Sequence, residues 1–352
     1  MNPLYHQYQF PVLQNRVFDS RESARNCEKG DIHLSVDKAH GFVYNSAFVP
    51  ESMNYDNSYN NEQSHSSVFK EHLTQVAEIV SRHMGSRDIL EIGCGQGTFV
   101  QFLRNLGLSV RGVDPSYRGS DPAIRSTNFS SQDIETANGI VLRHVLEHLS
   151  DPVGFLQQIA NSTDSMKVFI EVPCVDWILD NSAWFDIFYE HVNYFRISDF
   201  ERLFGGKLET GRLFGGQYLY VVANLEDLSP HEAPNESSEE LRPRFRSLAE
   251  RMASQVRAAS TPFVWGASSK GVIYSLLRER FGQPVELAID INPEKWGRYL
   301  PATGVKVIPP HSITEFAPTG TQIVVMNPNY ASEINAATGN QFQLIGVDGE
   351  PI

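Results

Sequence analysis

RDILEIGCGQGTFVQFLRNLG, residues 87–107, is the stretch that decides the fold of this chain. A short apolar run leads into a glycine-rich turn, and apolar residues at helical spacing follow. The turn reads E-x-G-x-G-x-G, from Glu91 through Gly93 and Gly95 to Gly97. Glycines allow a tight turn and close approach of the backbone to a ligand, and the following helix N-terminus favours negative charge. The stretch therefore predicts a ligand-binding strand–turn–helix unit.

Strand and helix patterns alternate around this turn. VFKEHLTQVAEIVSRH precedes it with helical spacing, and three further strand patterns follow it: LSVRGVDPS, GIVLRHVLEHLSDPVGFLQQIA and SMKVFIEVPC. Asp114 ends the first of these strands, a position from which an acid accepts hydrogen bonds from ribose hydroxyls. The alternation predicts an α/β fold with a parallel, doubly wound sheet.

The same order returns near the C-terminus, in PFVWGASSKGVIYSLLRER and VELAIDINPEKWGR. The polar stretch from Asn224 to Pro243 is typical of a linker, and the first 68 residues lack strong helical periodicity, which predicts an irregular module. We therefore expect four segments: an N-terminal module (1–68), the glycine-turn domain (69–225), a linker (226–243) and a C-terminal Rossmann-like domain (244–352).

Composition limits the function classes. A formal net charge of −13 argues against nucleic acid as the main partner, because phosphate backbones reward Lys and Arg. The sequence has no apolar run of about 18 residues and no basic, then apolar, N-terminal segment, so we expect neither a membrane span nor a signal peptide. Three widely spaced cysteines fit free thiols in a reducing compartment. These features predict a cytoplasmic protein with a small-molecule substrate.

The glycine spacing also narrows the ligand. A dinucleotide fingerprint, G-x-G-x-x-G, would place its third glycine at Thr98, whereas this chain has it at Gly97. With the leading Glu91, the turn resembles motif I of class I S-adenosylmethionine (SAM)-dependent methyltransferases. A nicotinamide-binding turn or a purely structural one are the alternatives.

The resemblance to motif I implies roles for specific positions. The turn would hold the methionine end of SAM, Asp114 with Pro115 its ribose, and residues after the third strand its adenine. His144, just after the fourth strand, would lie beside the methyl donor. The implied cofactor-binding residues are Glu91, Gly93, Cys94, Gly95, Gly97, Asp114, Pro115, Phe129, Ser130 and His144.

Four further stretches resemble one family, the sugar C-methyltransferases that act on nucleotide-linked keto-deoxysugars: LRHVLEHLSDP, YEHVNYF, WGASSKG and GRYLP. The order of an N-terminal module, a SAM domain and a C-terminal Rossmann-like domain is also similar. The resemblance implies an enzyme of deoxysugar and natural-product biosynthesis, with SAM as cofactor, a nucleotide sugar as substrate and a monomeric or homodimeric state.

Within FDIFYEHVNYF (Phe185–Phe195), Glu190 and His191 stand among five aromatic residues. One interpretation is a half-buried aromatic element whose polar groups face water. The other is catalytic: methylation beside a ketone requires a base with a pKa near working pH, which histidine has. By resemblance, His191 is the candidate general base and Glu190 its orienting neighbour. His144 and Tyr59 are candidates for contacts to the keto or hydroxyl oxygens.

The chain departs from the family in two places. Phe188 stands where the family often has a tyrosine, and Tyr189 follows it. The family's N-terminal module usually binds zinc through paired cysteines. In this chain Gln14 stands where a cysteine is expected, KAHGFVYN carries Ala39 and His40, and Cys27 is the single cysteine of the region. We therefore expect no metal and a degenerate module held by packing.

Two other motifs resemble metal-binding or phosphate-binding patterns but do not match them. His144 and His148 would share one face of a helix, but HVLEH is not H-E-x-x-H, so a cofactor-side position is expected rather than a metal site. Lys270 in GASSKG does not fit the phosphate-loop pattern, which leaves a packing turn or a contact to an anionic part of the substrate.

Two functional alternatives remain open beside C-methylation. The enzyme is an N- or O-methyltransferase for another small metabolite, or the chain is a SAM-binding subunit without catalysis. An amine or hydroxyl nucleophile needs less help than a C–H bond, so His191 would then act as a mild base or as a positioning group.

Overall fold

The computed structural model describes residues 3–53, 66–163, 165–229 and 237–352, and the elements given below belong to these residues. Tyr59, one of the predicted substrate contacts, lies outside them.

The N-terminal region is a small antiparallel sheet, so the expectation of an irregular module was wrong. Its strands are β1 (Tyr5–Pro11), β2 (Lys29–Val36) and β3 (Val43–Asn45), with a short helix α1 (Arg21–Arg25) between the first two. In β2, Ile32 and Leu34 alternate with less buried neighbours, which is the period of two that a half-buried strand requires. The alternation of polar and apolar residues from Asp31 to Val36 is a strand signal that the sequence analysis missed.

The middle of the chain forms a mixed α/β unit built on a largely parallel sheet. Its elements are α2 (Ser67–Met84), β4 (Ile89–Ile92), α3 (Thr98–Asn105), β5 (Val110–Val113), β6 (Ile124–Arg125), β7 (Gly139–Arg143), α4 (Pro152–Ala160), β8 (Lys167–Pro173), α5 (Val175–Asp180), β9 (Asn193–Tyr194), α6 (Ile197–Leu203), β10 (Leu208–Leu213) and β11 (Tyr218–Asn224). The strand order is β10-β11-β8-β7-β4-β5-β6, and β4 to β8 are parallel.

Strand β4 lies at the switch point of this sheet, between β5 on one side and β7 on the other. Ligands of open α/β sheets bind at the carboxyl ends of the strands near such a point. The glycine turn follows β4 directly, so the fold places it there. Strand β9 leaves this sheet and pairs with β3, which joins the middle of the chain to the N-terminal sheet.

The C-terminal part begins with a long helix, α7 (Ser237–Ala258), so the predicted linker is helical from residue 237 onward. Acidic residues in the first turn, Glu239 and Glu240, favour a helix start there. Beyond it lie β12 (Phe263–Trp265), α8 (Ser269–Arg280), β13 (Leu287–Ile289), β14 (Lys306–Ile308), β15 (Gln322–Val325), α9 (Ala331–Ala337) and β16 (Gln343–Ile345). The strands form a parallel sheet in the order β14-β13-β12-β15-β16.

The predicted α/β class with a parallel, Rossmann-like core is confirmed. Alternation of strands and helices buries apolar strands on both sheet faces, as in β7, whose residues from Gly139 to Leu142 are all buried. The cysteines Cys27, Cys94 and Cys174 are free thiols. Among the described helices, none combines the length and the apolar character needed to cross a membrane.

Candidate active site

The glycine turn after β4 has an open side and a packed side. Gly93, Gly95 and Gly97 have φ angles of 74°, 55° and 80°, which favour glycine. A Cβ on Gly93 would lie 2.5 Å from Val145, and one on Gly97 would lie 2.3 Å from Ile124. A Cβ on Gly95 would meet nothing within 4 Å. The outer two glycines therefore allow the turn to pack, and the middle one leaves its backbone accessible.

Asp114 fixes the turn from the end of β5. Its Oδ2 accepts a hydrogen bond from the Gly95 amide at 2.7 Å, and its Oδ1 accepts bonds from the amide and hydroxyl of Ser116 at 2.7 and 2.6 Å. Pro115 is exposed beside it. A carboxylate held at this edge of the sheet is suited to accepting hydrogen bonds from ribose hydroxyls.

Glu91 lies under the turn and is only 2% exposed. Burial raises its pKa to about 7; the Arg143 guanidinium opposes this effect, and Asp114 adds to it. Its Oε2 atom is buried and has no hydrogen-bond partner among the residues that the structure describes. A buried carboxylate oxygen without a partner fits a cationic ligand group, which the α-ammonium of SAM supplies, so the turn, Glu91 and Asp114 together fit this cofactor.

The remaining predicted cofactor residues surround the same edge. Phe129 is half-buried, with its ring 5.7 Å from that of Phe155, and Ser130 is held by a capping box with Asp133. Cys94 packs beneath the turn, because a Cβ on Gly112 would lie 2.6 Å from its Sγ. Its thiol therefore points into the protein, and only the Cys94 backbone belongs to the turn.

His144 follows β7 in a strained backbone conformation, with a φ of 53°. The next residues form a 3-10 turn (Leu146–His148), so the expectation that His144 and His148 share a helix face was wrong. The His144 Nδ1 atom lies 3.0 Å from Oε1 of Glu147, and its ring packs edge-on to Tyr218 at 4.6 Å. These contacts hold the imidazole beside the carboxyl ends of β4, β5 and β7, the part of the sheet called the cofactor edge below.

A buried ion-pair network supports this histidine from below. The Glu171 carboxylate lies 2.7 Å from Arg143 Nε and 2.8 Å from His72 Nε2. Burial disfavours the charge of Glu171, but Arg143 and His72 outweigh it and lower the pKa of this carboxyl. The network therefore keeps a fixed negative charge beneath the site.

The aromatic run around His191 is buried, so the interpretation of a half-exposed element was wrong. Phe185, Phe188, Tyr189, Tyr194 and Phe195 are each at most 7% exposed. Most of the segment packs in one apolar cluster with Tyr5 of the N-terminal sheet and Phe245 of helix α7, and β9 extends the N-terminal sheet. Aromatic packing on both sides fixes the backbone that carries His191.

Glu190 is fully buried and faces the N-terminal module. Its Oε1 accepts hydrogen bonds from the amides of Gln14 and Asn15, at 2.5 and 3.3 Å. The carboxylate therefore anchors the His191 segment to the backbone of the N-terminal region.

His191 presents a neutral imidazole. Its ring lies 3.9 Å from the ring of Phe188 and 5.1 Å from that of His148. Burial lowers its pKa well below the usual value, and the neighbouring His148, His144 and Lys270 lower it further. An uncharged imidazole has a lone pair with which to accept a proton or bind a ligand.

The sequence analysis missed Glu147 and the position of His148. One ligand atom from each of Glu147, His148 and His191 lies within 4.8 Å of the other two. The carboxylate that approaches His191 is thus Glu147, which is 44 positions away in the chain, as well as the adjacent Glu190. The sequence contained one signal, the close run of His144, Glu147 and His148 after a strand, but the assumed helix hid it.

Several of these residues line a cavity of about 230 Å³ between the middle sheet, which contains β4, and the C-terminal sheet. His144, His191 and Tyr218 lie on its first wall, and Lys270 and Asn327 on the second. The Lys270 Nζ atom lies 3.0 Å from Asp186 and donates to Gln217 at 2.9 Å, so it bridges the two walls. The arrangement brings the candidate base His191 into one cleft with His144, which follows strand β7.

Comparison with known proteins agrees with the geometry. Residues 64–206 match a family model described as a methyltransferase domain. The C-methyltransferase NovU of Streptomyces niveus is 22% identical over 310 residues, covering 75% of this chain and 72% of that protein.

Two solved structures are more distant. The plantazolicin methyltransferase BpumL, in complex with SAH, covers 53% of this chain and 81% of its own, with 16% identity and a TM-score of 0.33. The magnesium protoporphyrin IX methyltransferase ChlM of Synechocystis PCC 6803, with bound SAM, covers 44% and 80%, with 13% identity and a TM-score of 0.32.

The matched segment contains the whole glycine turn, Glu91, Asp114 and the aromatic segment Phe185–Phe195. Its strands are those whose carboxyl ends form the cofactor edge. The chain is therefore a SAM-dependent methyltransferase.

Proposed function

We propose that this enzyme methylates a carbon next to the ketone of a nucleotide-activated deoxysugar, with His191 as the general base. The observation that carries the proposal is the position of the partly buried His191 imidazole, whose pKa burial lowers, on the wall of the same cleft as His144. The name of the relative NovU, a C-methyltransferase, supports the same reaction type.

The chemistry requires a proton to leave carbon before the methyl group arrives. His191 takes the proton of the C–H bond beside the carbonyl, and the electrons of that bond pass into the carbonyl to give an enolate. Bound SAM supplies a sulfonium methyl group, which the enolate carbon accepts as the C–S bond breaks and S-adenosylhomocysteine leaves. The imidazolium then returns its proton to solvent.

The enolate oxygen needs a hydrogen-bond donor, and Phe188 cannot supply one. Tyr189 is not a replacement, because its hydroxyl accepts a hydrogen bond from the Val49 amide at 2.9 Å, on the side of the N-terminal module. Tyr218 lines the cleft beside His144. We assign the donor role to Tyr218, with His144 as its neighbour.

The nucleotide part of the acceptor would extend toward the C-terminal domain, where Ser269 and Lys270 line the cleft. Lys270 already lies beside the half-buried Asp186, whose pKa desolvation raises. An incoming phosphate group would compete for this ammonium, so the pair offers a cation without leaving it unpaired in the free enzyme.

Phe188 also supports a second candidate. Without a phenol at that position, the site gives less help to an enolate, and an amine or hydroxyl acceptor needs no enolate. The alternative is an N- or O-methyltransferase of another small metabolite, in which His191 only removes or orients a polar proton.

Solvent exchange separates the two candidates. Without SAM, the enzyme should wash deuterium into the carbon beside the carbonyl of a 4-keto nucleotide sugar. His191→Ala should lower exchange and methylation by about 100- to 10,000-fold, the usual range for a general base. His83→Ala is the matched control, because that histidine lies 3.0 Å from Glu209, outside the cleft lining. Absence of exchange with every such sugar would contradict the proposal, and a loss of only a few-fold in turnover would favour the alternative.

A further inference from the structure

We propose that Glu147, His148 and His191 form a binding site for a divalent transition-metal ion such as Zn²⁺ or Co²⁺. One ligand atom of each residue lies within 4.8 Å of the other two. His148 and His191 line the cleft between the middle and C-terminal sheets, and Glu147 is fully buried. Two imidazoles and one carboxylate are a donor set that such ions prefer, and three protein ligands leave positions open toward the cleft.

Two of the three ligands have buried atoms that nothing in the described structure satisfies. The Glu147 carboxylate is fully buried, and its Oε2 has no hydrogen-bond partner among the described residues. The His191 Nδ1 atom is buried in the same condition. Each unsatisfied buried acceptor lowers the stability of the folded protein by about 1–3 kcal/mol, and a cation bound to both atoms would remove both penalties.

His148 and Glu147 are also oriented by outer contacts of the kind found around metal ligands. His148 Nδ1 lies 2.8 Å from the carbonyl oxygen of Glu190, so this nitrogen carries the proton and the Nε2 lone pair is available. The Glu147 Oε1 atom lies 3.0 Å from His144 Nδ1. Metal-binding histidines usually donate their second ring N–H to a carbonyl or carboxylate, which fixes the tautomer.

The backbone holds the two contributing segments together. The Val192 amide donates to the Glu147 carbonyl at 2.7 Å. The Asn193 side chain donates to the carbonyls of Leu146 and Leu149, at 2.9 and 2.6 Å. Ligand atoms around a tetrahedral ion are roughly 3.4 Å apart. Side-chain rotations that move each ligand atom by about 1 Å would therefore bring the three within binding distance of one ion, with the backbone fixed.

Metal binding and proton abstraction exclude one another, and this clause of the inference rests on the proposed function. A neutral imidazole has one lone pair. With an ion at Nδ1 of His191, the ring proton stays on Nε2 and the imidazole cannot accept another. The metal-loaded enzyme should therefore lose deuterium exchange, and a chelator should restore it.

The direct test is metal binding without any acceptor. The chelator-treated full-length enzyme is dialysed against Zn²⁺ and, separately, titrated with Co²⁺ while its visible absorption is followed. We expect one tight equivalent of metal, and His148→Ala should bind it at least about 100-fold more weakly. Glu147→Gln, which keeps the volume of the side chain, should weaken binding in the same direction, and His83→Ala should bind as the unaltered enzyme does.

Circular dichroism establishes that each variant is folded. Equal metal affinity of the unaltered enzyme and both ligand variants would overturn the proposal, and so would the absence of a stoichiometric equivalent. Metal binding that requires these residues, in an enzyme that exchanges no deuterium when metal-free, would sink only the proposed function. The two failures are therefore distinguishable.

Discussion

The middle and C-terminal sheets carry similar turns with different side chains. In the middle sheet, the Gly95 amide donates to Asp114 at 2.7 Å; in the C-terminal sheet, the Ala267 amide donates to Asp290 at 2.8 Å. Each turn begins at a glycine, Gly93 or Gly266, whose amide donates to the neighbouring strand at 2.8 Å. A backbone frame with a glycine at its start and an acid at the end of the next strand is therefore present twice.

The side chains within the two frames differ. Below the first turn lies Glu91, with an unsatisfied carboxylate oxygen, and the middle glycine faces open space. In the second, the matching strand position is the buried apolar Val264, and Lys295 fills the turn. The Lys295 ammonium donates to the Ala267 carbonyl at 3.1 Å and to the Ser268 hydroxyl at 2.5 Å.

The comparison shows that the frame alone does not select a ligand. One turn has an acid that needs a cation from outside, and the other has a cation supplied by the chain itself. Function lies in these few side chains, which are grafted on a common fold. The second turn contributes to the cleft instead, because Ser269 and Lys270, which follow it, line the cleft.

The largest expected effect concerns the internal cation. Lys295→Met should lower the free energy of unfolding of the C-terminal domain by about 3 kcal/mol, because it leaves the buried Asp290 without its neighbouring charge. SAM affinity should stay unchanged. Chemical denaturation and calorimetric SAM titration measure the two quantities, and a loss of SAM affinity in a folded variant would break the comparison.

The next effect contrasts the two acids. Asp114→Asn should weaken SAM binding by roughly 10- to 150-fold, the range for loss of a hydrogen bond to a charged group. Asp290→Asn should leave SAM affinity within about twofold, since its turn is filled from within. Calorimetry on both variants is the measurement. Equal losses would mean that both turns take part in cofactor binding.

The smallest effect is a pH dependence. The pKa of Glu91 is raised to about 7 by burial, and only its ionised form attracts the ammonium of SAM. Affinity should therefore rise with pH, by about fivefold between pH 6 and pH 7, below the range in which an α-amino group titrates. Glu91→Gln should abolish this slope. A slope that persists in the variant would assign the titration to another group.

The first turn was predictable from sequence because its determinants are local. Glu91 and the three glycines lie within seven positions, and Asp114 ends the next strand. Strands β12 and β13 of the C-terminal sheet were predictable for the same reason, whereas β14 and β16 were not predicted. Short-range spacing reports on strand, turn and helix directly.

Other features depend on partners far away in the chain. Strand β3 is completed by β9, about 150 positions later, so its short sequence gave no sign of a sheet. The approach of Glu147 to His191 requires the backbone bond between Val192 and Glu147. No local sequence pattern reveals such a contact. The helix that was assumed to contain His144 and His148 is a 3-10 turn from Leu146 to His148, so the assumption hid the contact.

The Glu190 carboxylate binds the amides of Gln14 and Asn15, and so it connects the segment that carries His191 to the N-terminal region. A chimera in which another sequence replaced residues 1–15 would alter the loop that presents these two amides and would loosen the His191 segment. The glycine turn and Asp114 can therefore be transferred to another protein with their own sheet, whereas the position of His191 also depends on the first fifteen residues.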